Sequence, residues 1–254
     1  MPEAALRTVV PVPRRELNVG DPVAEARGLT YSAGGKRLVD GVDLRLPADS
    51  ITVVMGPNGA GKSLLLRLLH GLIPPTAGYV FCRGQPLSPE LRKQQAMVFQ
   101  RPVLLRRSVA ANVRFVLRVR GDSSRERIDA ILNEVGLLPY AHQPARLLSG
   151  GEQQRLALAR ALALSPSIMF MDEPTASLDP ASTAAIETIV RRAYAGGTKI
   201  VYVTHDLGQA RRLADDVVFL NRGRLLEHTP AGSFFEDPVS REARDYLAGR
   251  LILS

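Results

Sequence analysis

Residues 51–63 read Ile51-Thr52-Val53-Val54-Met55-Gly56-Pro57-Asn58-Gly59-Ala60-Gly61-Lys62-Ser63, and Leu64-Leu65-Leu66-Arg67-Leu68-Leu69 follows directly. The order predicts an apolar strand, a glycine-rich loop and the start of a helix. The spacing G-x-x-x-x-G-K-S is the P-loop pattern. Small residues let the backbone N–H groups of Gly56, Asn58, Gly59, Ala60 and Gly61 close around phosphate oxygens, with Pro57, which has no N–H, shaping the loop, and the helix start adds its positive end. Lys62 is expected to reach the β- and γ-phosphates, and the Ser63 hydroxyl to ligate Mg²⁺.

Working outward, the chain has 254 residues with 45% hydrophobic content, enough for one sizeable α/β core with a small subdomain. No apolar stretch approaches the roughly 18–20 residues of a membrane span, so work at a membrane requires a partner. Residues 1–21 have no signal-type apolar core and are expected to form a flexible arm. The single cysteine, Cys82, excludes an internal disulfide and suits a reduced compartment as a small buried strand residue. The net charge of +8 is spread along the chain with no basic block, so no direct nucleic-acid contact is expected.

Between Val23 and Leu46 the short alternating pattern and the Gly34-Gly35 turn predict a small antiparallel sheet. Tyr31 there is either an adenine-stacking ring or a packed strand tyrosine. Gln95 to Phe99 is a compact strand that leads to Gln100, a candidate for the edge of the phosphate site. From 101 to about 148 the apolar spacing becomes helical. This insert ends in Leu148-Ser149-Gly150-Gly151-Glu152, where Ser149 and Glu152 have capping-box spacing and the two glycines leave a second bare anion-binding helix start.

Ile168-Met169-Phe170-Met171 reads as a buried parallel strand that delivers Asp172 and Glu173. Two carboxylates at such an end are costly unless chemistry uses them. Asp172 is therefore expected beside Mg²⁺, with Glu173 orienting water for attack on the γ-phosphate. The strand Lys199 to Val203 is followed by His205, on the side of the sheet where the P-loop is expected. His70, His142 and His228 read as surface or capping residues.

The P-loop, Gln100, LSGGEQQR, IMFMDEPT, Ser177-Leu178-Asp179-Pro180 and His205 together resemble the ATP-binding-cassette family over roughly residues 23–230. The resemblance implies an α/β fold: a P-loop core with a mainly parallel sheet, a small N-terminal antiparallel β subdomain and a helical subdomain (about 101–160) carrying the signature. The ATPase domain would span 22–232, with a helical tail at 233–254. It further implies a homodimer that sandwiches two ATP molecules with Mg²⁺, the P-loop of one subunit facing Ser149, Gly150, Gly151 and Glu152 of the other. Tyr31 would stack on adenine. Gln100 and His205 would contact the γ-phosphate and the metal or water site, Glu173 would be the base, and Asp179 would cross the interface.

One position departs from the family pattern. Leu64 stands where Ser or Thr is usual, which removes an α-phosphate contact worth about 1.5–3 kcal/mol and predicts an active ATPase with weaker nucleotide binding. By the same resemblance the chain is the separate energy subunit of an importer. It would lie at the cytoplasmic face of the inner membrane with a transmembrane permease and an extracytoplasmic solute-binding protein. GKSLLLRLLHGL and QRPVLLRRSVAANV look most like tungstate-type oxyanion importers, with molybdate, phosphate or polar amino acids as alternatives. A soluble cassette ATPase acting on nucleic acid, ribosomes or cluster assembly is the reading from another class.

Overall fold

The computed structural model describes residues 22–250, so the expected arm at 1–21 and the end of the tail lie outside the described residues. In chain order, β1 (Ala24–Ala33) and β2 (Lys36–Leu46) form a hairpin. β3 (Ile51–Met55) then leads through the glycine-rich loop to α1 (Lys62–His70). β4 (Ala77–Cys82), β5 (Gln85–Pro86), α2 (Pro89–Arg92) and β6 (Gln95–Val98) follow. α3 (Val109–Val119), α4 (Arg125–Glu134) and two short 3₁₀ turns make the helical insert, which ends at α5 (Gly150–Leu162). The remainder is β7 (Ile168–Asp172), α6 (Pro180–Ala195), β8 (Lys199–Val203), α7 (Leu207–Leu213), β9 (Asp216–Asn221), β10 (Arg224–Pro230), α8 (Ala231–Glu236) and α9 (Arg241–Leu247).

Two sheets result. The larger has the order β10-β9-β3-β8-β7-β6, parallel except for the β9–β10 pair, and the smaller, antiparallel one has the order β2-β1-β4-β5. β3, β7 and β8 are buried along their whole length, which explains their unbroken apolar runs: a strand covered on both faces has no solvent side to mark with polar residues. Alternate side chains feed different cores. Val53, Met55, Met169, Met171, Ile200 and Tyr202 join the α3–α7 side, whereas Val54, Ile168, Phe170, Val201 and Val203 join α1 and the antiparallel sheet.

This arrangement positions the chemistry. The chain leaves β3, β8, β7 and β6, four neighbouring strands, at Gly56, His205, Glu173 and Gln100, so residues far apart in sequence emerge along one edge of the sheet. The reading of His70 as a surface residue is corrected. It closes α1 on the buried side, is 9% exposed, and meets the Phe170 ring edge-on at 5.9 Å. Burial drives its pKa down to about 4, with Arg92 adding to the effect.

Candidate active site: the P-loop cavity

The loop after β3 is shaped by backbone that only glycine adopts freely. Gly56 has φ +141°, and a Cβ there would lie 2.0 Å from the Leu220 carbonyl oxygen of β9. Gly61 caps α1 in a left-handed conformation, with no side-chain cap and no acidic residue in the first turn. The first N–H groups of α1 therefore stay open to an anion. Lys62 is buried and donates from Nζ to the carbonyls of Gly56 (2.8 Å) and Pro57 (3.1 Å), which ties it across the loop. Burial lowers its pKa, and the carboxylates of Glu173 and Asp172 oppose that shift.

At the next residue, the Ser63 hydroxyl donates to Asp172 Oδ1 at 2.6 Å. Burial raises the Asp172 pKa, opposed chiefly by this bond. A hydroxyl and one carboxylate side by side form a hard-oxygen donor set of the kind Mg²⁺ takes when phosphate and water complete its shell. Among the described residues no group of three or more His, Cys, Asp or Glu could hold a metal ion.

Glu173 turns out of β7 with φ +46°, an unusual conformation for a residue with a side chain, held by its N–H bonding to the Val203 carbonyl at 3.2 Å. Its Oε2 lies 3.2 Å from His205 Nδ1. Both line a cavity of about 930 Å³ together with the whole loop from Gly56 to Ser63, Leu64 and Gln100. The structure therefore brings the P-loop, Gln100, Glu173 and His205 together around one space, with Asp172 beneath it through Ser63.

Other expected site residues lie elsewhere. Tyr31 is half-buried on β1 opposite Val39, packs against the core on the α1 side, and does not line this cavity; Leu38 of β2 does. The signature residues form the anticipated capping box, with the Ser149 hydroxyl accepting from the Glu152 N–H (3.3 Å) and Glu152 Oε2 accepting from the Ser149 N–H (2.7 Å). Ser149, Gly150, Gly151 and Glu152 do not reach the cavity of their own chain. Asp179 caps α6 through the Ser182 N–H at 2.9 Å and is likewise outside it. The starts of α5 and α6 touch: a Cβ on Gly151 would meet Ser182 Oγ at 2.3 Å. Behind the signature, buried Gln154 donates to the Phe99 carbonyl at 3.0 Å, which ties α5 to the residue before Gln100. Sequence reasoning did not single out Leu38, Arg67 or Tyr246 as cavity residues. No motif marks them, and only tertiary packing brings them there.

Comparisons with known proteins agree with this geometry. The sequence pattern described as ABC transporter matches residues 39–176. The chain is 34% identical to the phosphate import ATP-binding protein PstB of Shewanella denitrificans, over 94% of this chain and 95% of that protein. It is also 34% identical to the protein of the same name from Thermotoga maritima, over 91% and 99%. Among solved structures, cbiO1 from Clostridium perfringens, described as part of the ABC transporter complex cbiONQ, aligns with a TM-score of 0.77 at 27% identity, covering 90% of this chain and 97% of that one. An ATP-binding cassette described as dimeric, in a post-hydrolysis state bound to ADP and Pi, aligns at 0.73 with 28% identity, covering 82% and 98%.

Fold and cavity thus define a P-loop ATPase that converts ATP and water to ADP and phosphate with Mg²⁺. The chain belongs to the ABC transporter family.

Proposed function

We propose that the chain is the ATP-hydrolysing subunit of an oxyanion importer, with phosphate as the solute. The observation that carries this is the pair of relatives above, both named for phosphate import and both matched over more than nine tenths of this chain. Tungstate, the solute expected from the short stretches around α1 and residues 100–113, keeps only that local support.

In this reading Glu173 accepts the proton of the attacking water, and its 3.2 Å contact with His205 supports that role by fixing the carboxylate. Lys62 and the open N–H groups of α1 receive the phosphates, while Ser63 and Asp172 hold Mg²⁺, which when bound neutralises charge on the phosphoryl oxygens. Gln100 faces the γ-phosphate side. The remoteness of Ser149, Gly150, Gly151, Glu152 and Asp179 from their own cavity supports a homodimer in which these residues complete the partner's site. Leu38, which lines the cavity, is a better-placed apolar contact for adenine than Tyr31.

No described helix is long and apolar enough to cross a membrane, so a separate permease would hold the chain at the cytoplasmic face of the inner membrane. A hollow of about 260 Å³ between β6, α3 and α5, lined by Phe99, Val103, Val116 and Leu164 together with Arg160, adjoins Gln100 and is the proposed seat for a permease helix. An extracytoplasmic solute-binding protein would complete the system. We take 22–232 as the ATPase domain, with the helical subdomain at about 101–160 inside it. α8 starts just ahead of the tail boundary at 233.

The test is to isolate the Glu173→Gln chain with ATP from its native membranes, identify the co-purifying multi-span protein, and then measure solute uptake in vesicles that carry that protein with the wild-type chain. Phosphate uptake that tungstate does not replace is the expected result. Tungstate uptake, or recovery with ribosomes or nucleic acid instead of a permease, would overturn it.

A further inference from the structure

The tail after β10 is fastened to the core at both ends of a short path. At its start, Glu227 of β10, 5% exposed, accepts from the Val239 N–H (3.1 Å) and from both the N–H and the hydroxyl of Ser240. Ser240 in turn caps α9 by accepting from the Ala243 N–H at 3.2 Å. Further along, Ala243 is fully buried, and the Tyr246 ring lies 5.4 Å from Phe219, which itself stacks near Phe234 at 5.7 Å.

Phe219 is the β9 residue paired with Met55, immediately before Gly56. Through that ring Tyr246 enters the cavity wall alongside Gly56, Glu173 and His205. Burial pushes its hydroxyl above the ordinary tyrosine value, opposed by the Gly56 backbone N–H, toward which the phenol oxygen is the acceptor, and reinforced by Glu173. A second contact reaches the same corner from behind: Arg211 of α7, the helix that opens directly after His205, sits over the Phe235 ring at 4.5 Å.

We propose that Tyr246 is a positioning residue of the hydrolytic site. Docking of α9 sets its ring on Phe219 and its hydroxyl at the first peptide of the P-loop, fixing the flank where Glu173 and His205 meet. Turnover thereby depends on a segment well beyond the family-matched residues 39–176. The proposal rests on the roles given above to Glu173 and His205.

The experiment measures kcat and KM for ATP with the full-length chain carrying Tyr246→Phe, Tyr246→Leu or Glu173→Gln, beside thermal melting of each. Tyr246→Phe keeps the ring and the packing and removes only the hydroxyl. It is expected to lower kcat about three- to tenfold, the factor of one neutral hydrogen bond, with KM within about twofold and melting unchanged. Tyr246→Leu should lower kcat further. Wild-type kcat in Tyr246→Phe, a rise in KM alone, or a loss of kcat that merely tracks the folded fraction would overturn the proposal. The Glu173→Gln arm separates the two assignments: normal turnover there removes Glu173 as base, while the tyrosine comparison is read independently from its own kcat and KM.

Discussion

His205 Nδ1 and Glu173 Oε2 lie 3.2 Å apart although the residues are 32 positions apart in the chain. The closeness follows from the sheet. β7 and β8 are parallel neighbours with Asp172 opposite Val203, so Glu173, one residue beyond β7, and His205, two beyond β8, emerge side by side. With the proton on Nδ1 the imidazole donates to the carboxylate, leaving the second Glu173 oxygen for water. Glu173→Gln should bind ATP normally and lose at least about 100-fold in turnover, measured as phosphate release beside equilibrium nucleotide binding. Turnover at the wild-type rate would remove the residue from the role of base.

The contact between the starts of α5 and α6 gives a packing prediction. Gly151→Ala places a methyl 2.3 Å from Ser182 Oγ and 2.7 Å from its Cβ, so the two helix starts must separate. We expect a loss of about 1–3 kcal/mol in stability and a larger loss of ATPase activity, with nucleotide binding at the P-loop retained. Ser182→Gly should restore activity to Gly151→Ala, whereas Ser182→Ala, which keeps the Cβ, should not. A double variant no better than the single one would refute the steric account.

Leu64 lines the cavity, at the position where the family resemblance leads one to expect a phosphate-facing hydroxyl. Leu64→Thr should tighten ATP binding, by up to about 1.5–3 kcal/mol in calorimetric titration, because a hydrogen bond to a charged group replaces an apolar contact. Unchanged affinity would mean that the backbone cradle already satisfies the phosphate.

Buried His70 gives the fold an acid limit. Its pKa falls from 6.5 in the free side chain to about 4 in the native state, so between those values the unfolded chain binds a proton that the folded one refuses. Stability from this group is therefore present above pH 6.5 and is lost as pH falls toward 4, amounting to roughly 3 kcal/mol when complete. Denaturant unfolding of wild type and His70→Phe across this range should show the wild type losing stability more steeply, and parallel curves would contradict the assignment.

Much of this was readable from residues alone because the chemistry is local. The run Ile51 to Ser63 carries strand, loop and helix start within one stretch, and Ser149 with Glu152 carries its own cap. What was not readable depends on distant packing. Tyr246 enters the cavity only because β9 lies beside β3, and Leu38 reaches it only through the turn of the β1–β2 hairpin. His70 misled for the same reason: a polar ring at the end of a helix gives no hint that β7 lies against it.

The backbone of β9 presses on Gly56 so closely that not even a methyl fits beside the Leu220 carbonyl. The opening of the cradle is therefore cut to shape by the sheet itself before any ligand arrives. Nucleotide capture then forfeits little chain entropy at this point, and in the proposed homodimer binding energy remains for drawing two subunits together.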